Sequence, residues 1–119
     1  MDVEIDVYSG RPNPRLRLDP EPARELMRRL AALRPSTSQA GPRERLGYRG
    51  LRIESEGTGS PVAAAVVSGG VVLVRDHDGR ERLLDDPGRG VERWLVDALA
   101  SEMDSDMVAL LRQDLAEPR

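Results

Sequence analysis

Two short runs of consecutive apolar residues, Val62–Val67 and Val71–Val74, bracket the tripeptide Ser68-Gly69-Gly70. A glycine pair between two such runs is a hairpin signal, and this hairpin constrains the rest of the chain more than any other feature. Apolar residues at consecutive positions, rather than alternate ones, predict strands in the middle of a sheet. Asp78-Gly79 offers a further hairpin turn, leading into a strand over residues 80–84. Leu51 and Ile53, separated by Arg52 and followed by Glu54, predict another strand, reached through Gly47-Tyr48-Arg49-Gly50. Near the start, Val3, Ile5 and Val7 alternate with Asp2, Glu4, Asp6 and Tyr8. A period of two gives a strand with one buried face and one wet, acidic face. Leu16 and Leu18, with Arg15 and Arg17 between and before them, predict a short second strand.

Helical patterns flank this strand-rich middle. Asp19-Pro20-Glu21 reads as a helix start, with a carboxylate for the free amides, proline in the first turn and an acid near the positive dipole end. Ala23, Leu26, Met27, Leu30, Ala31 and Leu33 then form an apolar stripe, and Arg34-Pro35 ends it. Residues 35–46 read as a surface loop. After Asp85-Asp86-Pro87-Gly88, helical spacing returns in Val91, Trp94, Leu95, Ala98 and Leu99. Asp104 is placed to cap a separate last helix with Met107, Leu110, Leu111 and Leu115 as its stripe; one long helix over residues 90–115 is the alternative. The expected fold is a single α+β domain over residues 1–119. It comprises an antiparallel or mixed sheet of about five or six strands with two or three helices packed on it. The hairpins argue against a doubly wound fold.

Composition removes several function classes. The chain has 119 residues, enough for one core. It has no Cys, so disulfides, thiolate nucleophiles and zinc-thiolate sites are excluded. The longest unbroken apolar run, Val62–Val67, is far too short to span a bilayer. Met1-Asp2-Val3-Glu4 carries no hydrophobic signal region, so a cytoplasmic location is expected. All 18 basic residues are Arg, a bias that a GC-rich genome explains without chemistry. Charge is unevenly placed: residues 11–52 hold 11 arginines against four acids, and residues 53–119 hold seven against 14. The formal net charge is −3 and aromatics are 3% of the chain, so nucleic acid is not the expected partner of the basic stretch. An arginine face meeting an acidic partner fits better.

The loop Ser9-Gly10-Arg11-Pro12-Asn13-Pro14 is the leading candidate site. Two prolines stiffen it, and Ser9, Arg11 and Asn13 are donors that suit a carboxylate, a phosphate or a peptide backbone. The same residues equally build a structural corner in which Asn13 and Ser9 bond their own backbone. No glycine-rich phosphate loop is present.

The string Tyr8-Ser9-Gly10-Arg11-Pro12-Asn13-Pro14 resembles the start of a group of small uncharacterised proteins of bacteria and fungi. Gly47-Tyr48-Arg49-Gly50 and Glu92-Arg93-Trp94-Leu95 resemble later segments of the same group, in the same order. That group usually carries Trp two residues after the second proline, where this chain has Leu16. The resemblance implies homology and brings no activity with it.

Other constellations are weaker. Asp2, Glu4 and Asp6 on one strand face suit a metal or an acid–base pair, or else a solvated face that resists aggregation. His77, the single His, sits in Asp76-His77-Asp78-Gly79, which matches part of a calcium loop but lacks its remaining ligands at the required spacing. A hairpin turn accounts for it. Trp94 falls in the apolar stripe of its helix, whereas Tyr48, with glycines on either side of the Tyr48-Arg49 pair, suits a pocket. The expected binding set is therefore Ser9, Arg11, Asn13, Tyr48, Arg49 and Glu92, with no metal, no cofactor and no complete catalytic set. Three functions follow from it. The first is a non-enzymatic accessory module that binds a peptide or protein. The second is a small tailoring enzyme with Tyr48, Arg11 and Asp6 or Glu92 as acid, anion holder and base. The third is a self-assembling unit whose basic and acidic parts dock as a homo-oligomer.

Overall fold

The computed structural model describes residues 1–8, 12–37, 48–55 and 59–116. Six strands form one antiparallel sheet: β1 (Asp2–Asp6), β2 (Arg15–Arg17), β3 (Gly50–Glu54), β4 (Ala64–Ser68), β5 (Val71–Arg75) and β6 (Glu81–Asp85), in the order β2-β1-β3-β4-β5-β6. Three helices complete the chain: α1 (Pro20–Ala31), α2 (Gly90–Leu99) and α3 (Ser105–Ala116). The expected α+β domain is thus the observed one.

Register explains which face holds the core. Ile5, Leu51, Val67, Val72 and Leu84 stand side by side across β1, β3, β4, β5 and β6. All five are buried, together with Leu26 and Leu30 of α1, Leu95 and Leu99 of α2, and Leu111 and Leu115 of α3. Helix α2 lies between α1 and α3 and touches β4. The helices therefore cover one face of the sheet, and we call the other the open face. At the centre, Gly69 and Gly70 both take positive φ (60° and 97°), as a two-residue primed hairpin turn demands.

The helix boundaries have three different physical causes. Asp19 stands at the N-cap of α1, but its carboxylate makes no cap bond; its backbone C=O accepts the Ala23 N–H at 2.9 Å. Pro22, at the third helical position, removes one of the two amides a cap would serve, and Pro20 removes the free amide at the first. For α2 the cap comes from farther back: Asp86 accepts Val91 N–H at 2.8 Å and Glu92 N–H at 3.2 Å with its two oxygens. The chain reaches this geometry through a 3-10 turn, Pro87–Arg89, in which Arg89 takes a left-handed φ of 55°. A second 3-10 turn, Ala100–Glu102, separates α2 from α3, so the C-terminal stretch is two helices rather than one. Asp104 caps α3 by accepting the Met107 N–H at 2.8 Å, the expected arrangement. Met107, Leu111 and Leu115 are buried at a spacing of four, while Leu110, expected in the stripe, is exposed.

The expected loop after α1 begins with ordered structure. Pro35 bridges Leu84, Ser36 N–H donates to Leu83 C=O at 2.8 Å, and Asp85 N–H donates to Arg34 C=O at 2.9 Å. The chain thereby covers the Leu83–Asp85 end of the outer edge of β6.

Candidate functional site

Tyr48 and Arg49 are consecutive in an extended segment, so their side chains leave on opposite sides of the sheet. This places the predicted site residues in two separate clusters.

The first lies on the open face, where β1, β3 and the Asn13 loop meet. Asn13 uses its side-chain carbonyl to accept Val7 N–H (3.0 Å) and Tyr8 N–H (2.8 Å). Its amide donates to Glu4 (3.0 Å) and Asp6 (3.3 Å). One carboxamide therefore ends β1 and separates two carboxylates. Asp6 also accepts from the Arg49 guanidinium at 2.8 Å and lies 3.4 Å from Arg52 Nε. Burial disfavours its charge, but Arg49 and Arg52 outweigh that and hold its carboxyl below the ordinary value of 3.8. Arg15 binds Glu4 across the strands at 3.1 Å. Arg49 further donates to Tyr8 C=O, and its own C=O accepts the Ser68 hydroxyl at 2.7 Å. Gly50 follows at φ 130°, and a Cβ there would lie 2.6 Å from Val67 O, so only glycine fits. Beside this cluster, Asp2, Glu4, Arg15, Arg52 and Glu54 line a depression of about 40 Å³, room for a few water molecules rather than a metabolite.

The second cluster is sealed among the helices. Glu92, with no exposed surface, receives Tyr48 OH (2.6 Å), Gly69 N–H (3.1 Å) and two donors of Arg89 (both 2.9 Å). Arg89 continues to the carboxylate and backbone oxygens of Asp114, both at 3.0 Å. Each Glu92 oxygen thus has two donors. Burial, reinforced by Glu92, raises the Tyr48 hydroxyl far above its usual range. Arg89 is pushed towards neutrality by burial and held charged more strongly by Glu92 and Asp114. Asp86, 2% exposed, is raised by burial against the opposing pull of its two backbone donors. The Tyr48 hydroxyl is thus held protonated by burial and given to a carboxylate that has no exposed surface.

Of the predicted binding set, Asn13 and Arg49 come together in the open-face cluster, and Tyr48 and Glu92 in the sealed one. Ser9 and Arg11 lie outside the described residues, as does Gly47. Asp6, the alternative base, lies on the opposite side of the sheet from the Tyr48–Glu92 pair. His77 Nε2 is 2.7 Å from Ser60 C=O, and the Asp76 carboxylate accepts Asp78 and Arg80 N–H, so this turn is braced by its own backbone. Among the described residues no three His, Asp or Glu side chains converge as metal ligands. Trp94 is half-buried with the Arg29 guanidinium 4.7 Å from its ring centroid.

Sequence reasoning did not anticipate Asp86, Arg89 and Asp114 as a network, nor the apolar residues on the open face. Glu4, Arg52, Val66, Leu73 and Leu83 are aligned there across β1, β3, β4, β5 and β6, with Arg15 opposite Glu4 on β2. Val66, Leu73 and Leu83 are half-buried, as is Val71 beside them. The signal was present: alternation in β1 and β3 puts charge on this face, whereas the consecutive apolar residues of β4 and β5 do not. Comparison with known proteins adds no candidate: no protein-family model, no curated protein and no solved structure matches the chain.

Proposed function

We propose that this protein is a binding module that recognises a peptide or protein partner across the open face of its sheet. One observation carries the reading. The face away from the helices pairs a charged half (Arg15, Glu4, Arg52) with an apolar half (Val66, Leu73, Leu83) in a single cross-strand row. Antiparallel sheets with one solvated face normally carry polar residues there, so an apolar half has a use outside the domain. The apolar patch is small, because Arg75, Glu81 and Asp85 share this face with Ala64, Val66, Val71, Leu73 and Leu83. A stable interface needs about 800 Å² from each partner. The apolar half is then an anchor, and the partner extends over the charged half as well. Supporting a non-catalytic role, the groups needed for acid–base chemistry are divided between a sealed network and the opposite sheet face.

The test is affinity capture with immobilised wild-type protein, Leu73→Glu on the open face and Leu110→Glu on the helix layer. The expected result is one partner retained by wild type and by Leu110→Glu and lost by Leu73→Glu, with all three proteins folded. Equal recovery by both variants, or no specific partner for wild type, contradicts the proposal.

A further inference from the structure

Helix α3 is joined to the core more thinly than the other helices. Its 12 residues bury Met107, Leu111 and Leu115 at a spacing of one per turn, and Leu110 is 43% exposed. A core-facing helix normally buries about three or four residues in every two turns. The chief neighbour of α3 is α2, whereas α2 also packs on α1 and touches β4. Sheet, α1 and α2 therefore share a core of their own that includes Ile5, Leu51, Val67, Val72, Leu26, Leu30, Leu95 and Leu99.

Polar bonds at one end of α3 supplement this narrow stripe. Arg89 donates to the backbone and carboxylate oxygens of Asp114, both at 3.0 Å, and Arg93 donates to Leu115 C=O. Both arginines stand at the start of α2 and both meet the last turn of α3. The carbonyls of that turn have no partner within the helix, and the helix dipole favours positive charge there. Arg89 holds its left-handed φ of 55° at this clasp, a conformation that persists in an L residue where its surroundings hold it. A further pair, Arg112 with Asp97 at 3.4 Å, is exposed on both sides. At the opposite end of α3 the connection is the 3-10 turn Ala100–Glu102, followed by Met103 in extended conformation. Asp104, which caps α3, lies beyond that turn and moves with the helix. One end is built as a hinge and the other as a clasp.

We propose that α3 is a clasped strap, opening as a unit about residues 100–103 while the sheet, α1 and α2 stay folded, and that Arg89 and Arg93 set how often it opens. A helix of 12 residues is marginal by itself in water, so α3 loses its own hydrogen bonds when it leaves α2. Opening takes Asp114 from Arg89 and admits water to the buried chain of Arg89, Glu92 and Tyr48. The strap thereby gates access to the sealed polar cluster, as a local opening of lower free energy than global unfolding. It does not depend on what the open face of the sheet binds.

The experiment is native-state hydrogen exchange of the full chain, read by NMR at rising urea concentrations below the unfolding transition. In the wild type, the amides of α3 are expected to exchange at least about tenfold faster than the slowest amides of β4 and β5, and to respond less to urea. Asp114→Ala and Arg93→Ala should each speed exchange in α3 by about a further tenfold and leave β4 and β5 unchanged. Arg93 is exposed, so its variant keeps the test in hand should Asp114→Ala fail to fold. Val74→Ala, in the core of the sheet, should do the reverse, speeding β4 and β5 and leaving α3 unchanged. Exchange in α3 that matches β4 and β5 in rate and urea dependence would overturn the strap. Fast exchange in α3 that neither Asp114→Ala nor Arg93→Ala alters would overturn the clasp.

Discussion

Tyr48 and Arg49 are neighbours in the chain with unlike tasks, one buried against Glu92 and the other clamping Asp6 on the open face. Removing the phenol oxygen in Tyr48→Phe leaves a buried carboxylate short of a donor, which should cost about 1–3 kcal/mol in urea unfolding. Glu92→Ala leaves the Tyr48 hydroxyl and Gly69 N–H without their acceptor and the buried Arg89 with Asp114 as its one carboxylate among the described residues, and should cost about 3–5 kcal/mol. Both variants, where folded, should keep partner binding; loss of binding at unchanged stability in Tyr48→Phe would contradict the bracing role. Asp6 titrates in the usual direction for a paired carboxylate. Its native pKa lies below its unfolded value, so it stabilises the fold above about pH 4 and that contribution vanishes as pH falls through the native value. Asp6→Asn should thus be less stable than wild type by about 1 kcal/mol at neutral pH, with the difference disappearing in strong acid. Urea midpoints at the two pH values check it, and a pH-independent difference would show that Asp6 acts by shape alone. Asn13 could be singled out from its proline-stiffened loop, Tyr48 and Arg49 from the glycines around them, and Glu92 as a carboxylate in the Glu92–Leu95 segment. Their division into two clusters could not, because it depends on the side of the sheet each residue meets.

At the scale of elements, the three helix starts make a graded prediction. Asp19→Ala should change stability by only a few tenths of a kcal/mol, the residual dipole contribution, because its carboxylate caps nothing. Asp104→Ala should cost about 1 kcal/mol. Asp86→Ala, which strips buried acceptors from two amides, should cost the most, about 1–3 kcal/mol. Thermal or urea unfolding of the three variants should give that order; a costly Asp19→Ala would refute the assignment. Gly50→Ala should prevent folding or cost more than about 3 kcal/mol, since the new Cβ meets backbone rather than a movable side chain. The strands and both hairpins were legible because a period of two and Gly-Gly or Asp-Gly turns are local signals. The Asp104 cap was legible for the same reason. The pairing of Arg34–Ser36 with β6 was not, since nothing local distinguishes a proline-bearing edge segment from a loop. Nor was the left-handed Arg89, whose conformation is fixed by partners as distant as Asp114.

For the whole molecule, the uneven charge of the sequence follows the order of the sheet. Residues 11–52 supply β2, α1 and most of β3, and residues 53–119 supply β4, β5, β6, α2 and α3. The described part of the arginine-rich stretch therefore runs from β2 through α1 to the β6 edge, where Arg34–Ser36 pair, and returns in β3, while the acidic part carries the apolar half of the open face and two of the three helices. Recognition is assigned to the open face and stability to the sealed network behind it, and methyl NMR of the protein titrated with its captured partner separates the two. The account predicts that the methyl signals of Val66, Leu73 and Leu83 shift while those of Leu95, Leu99 and Leu111 stay in place. Shifts confined to Val108 and Leu110 of α3, with the sheet methyls unmoved, would contradict it.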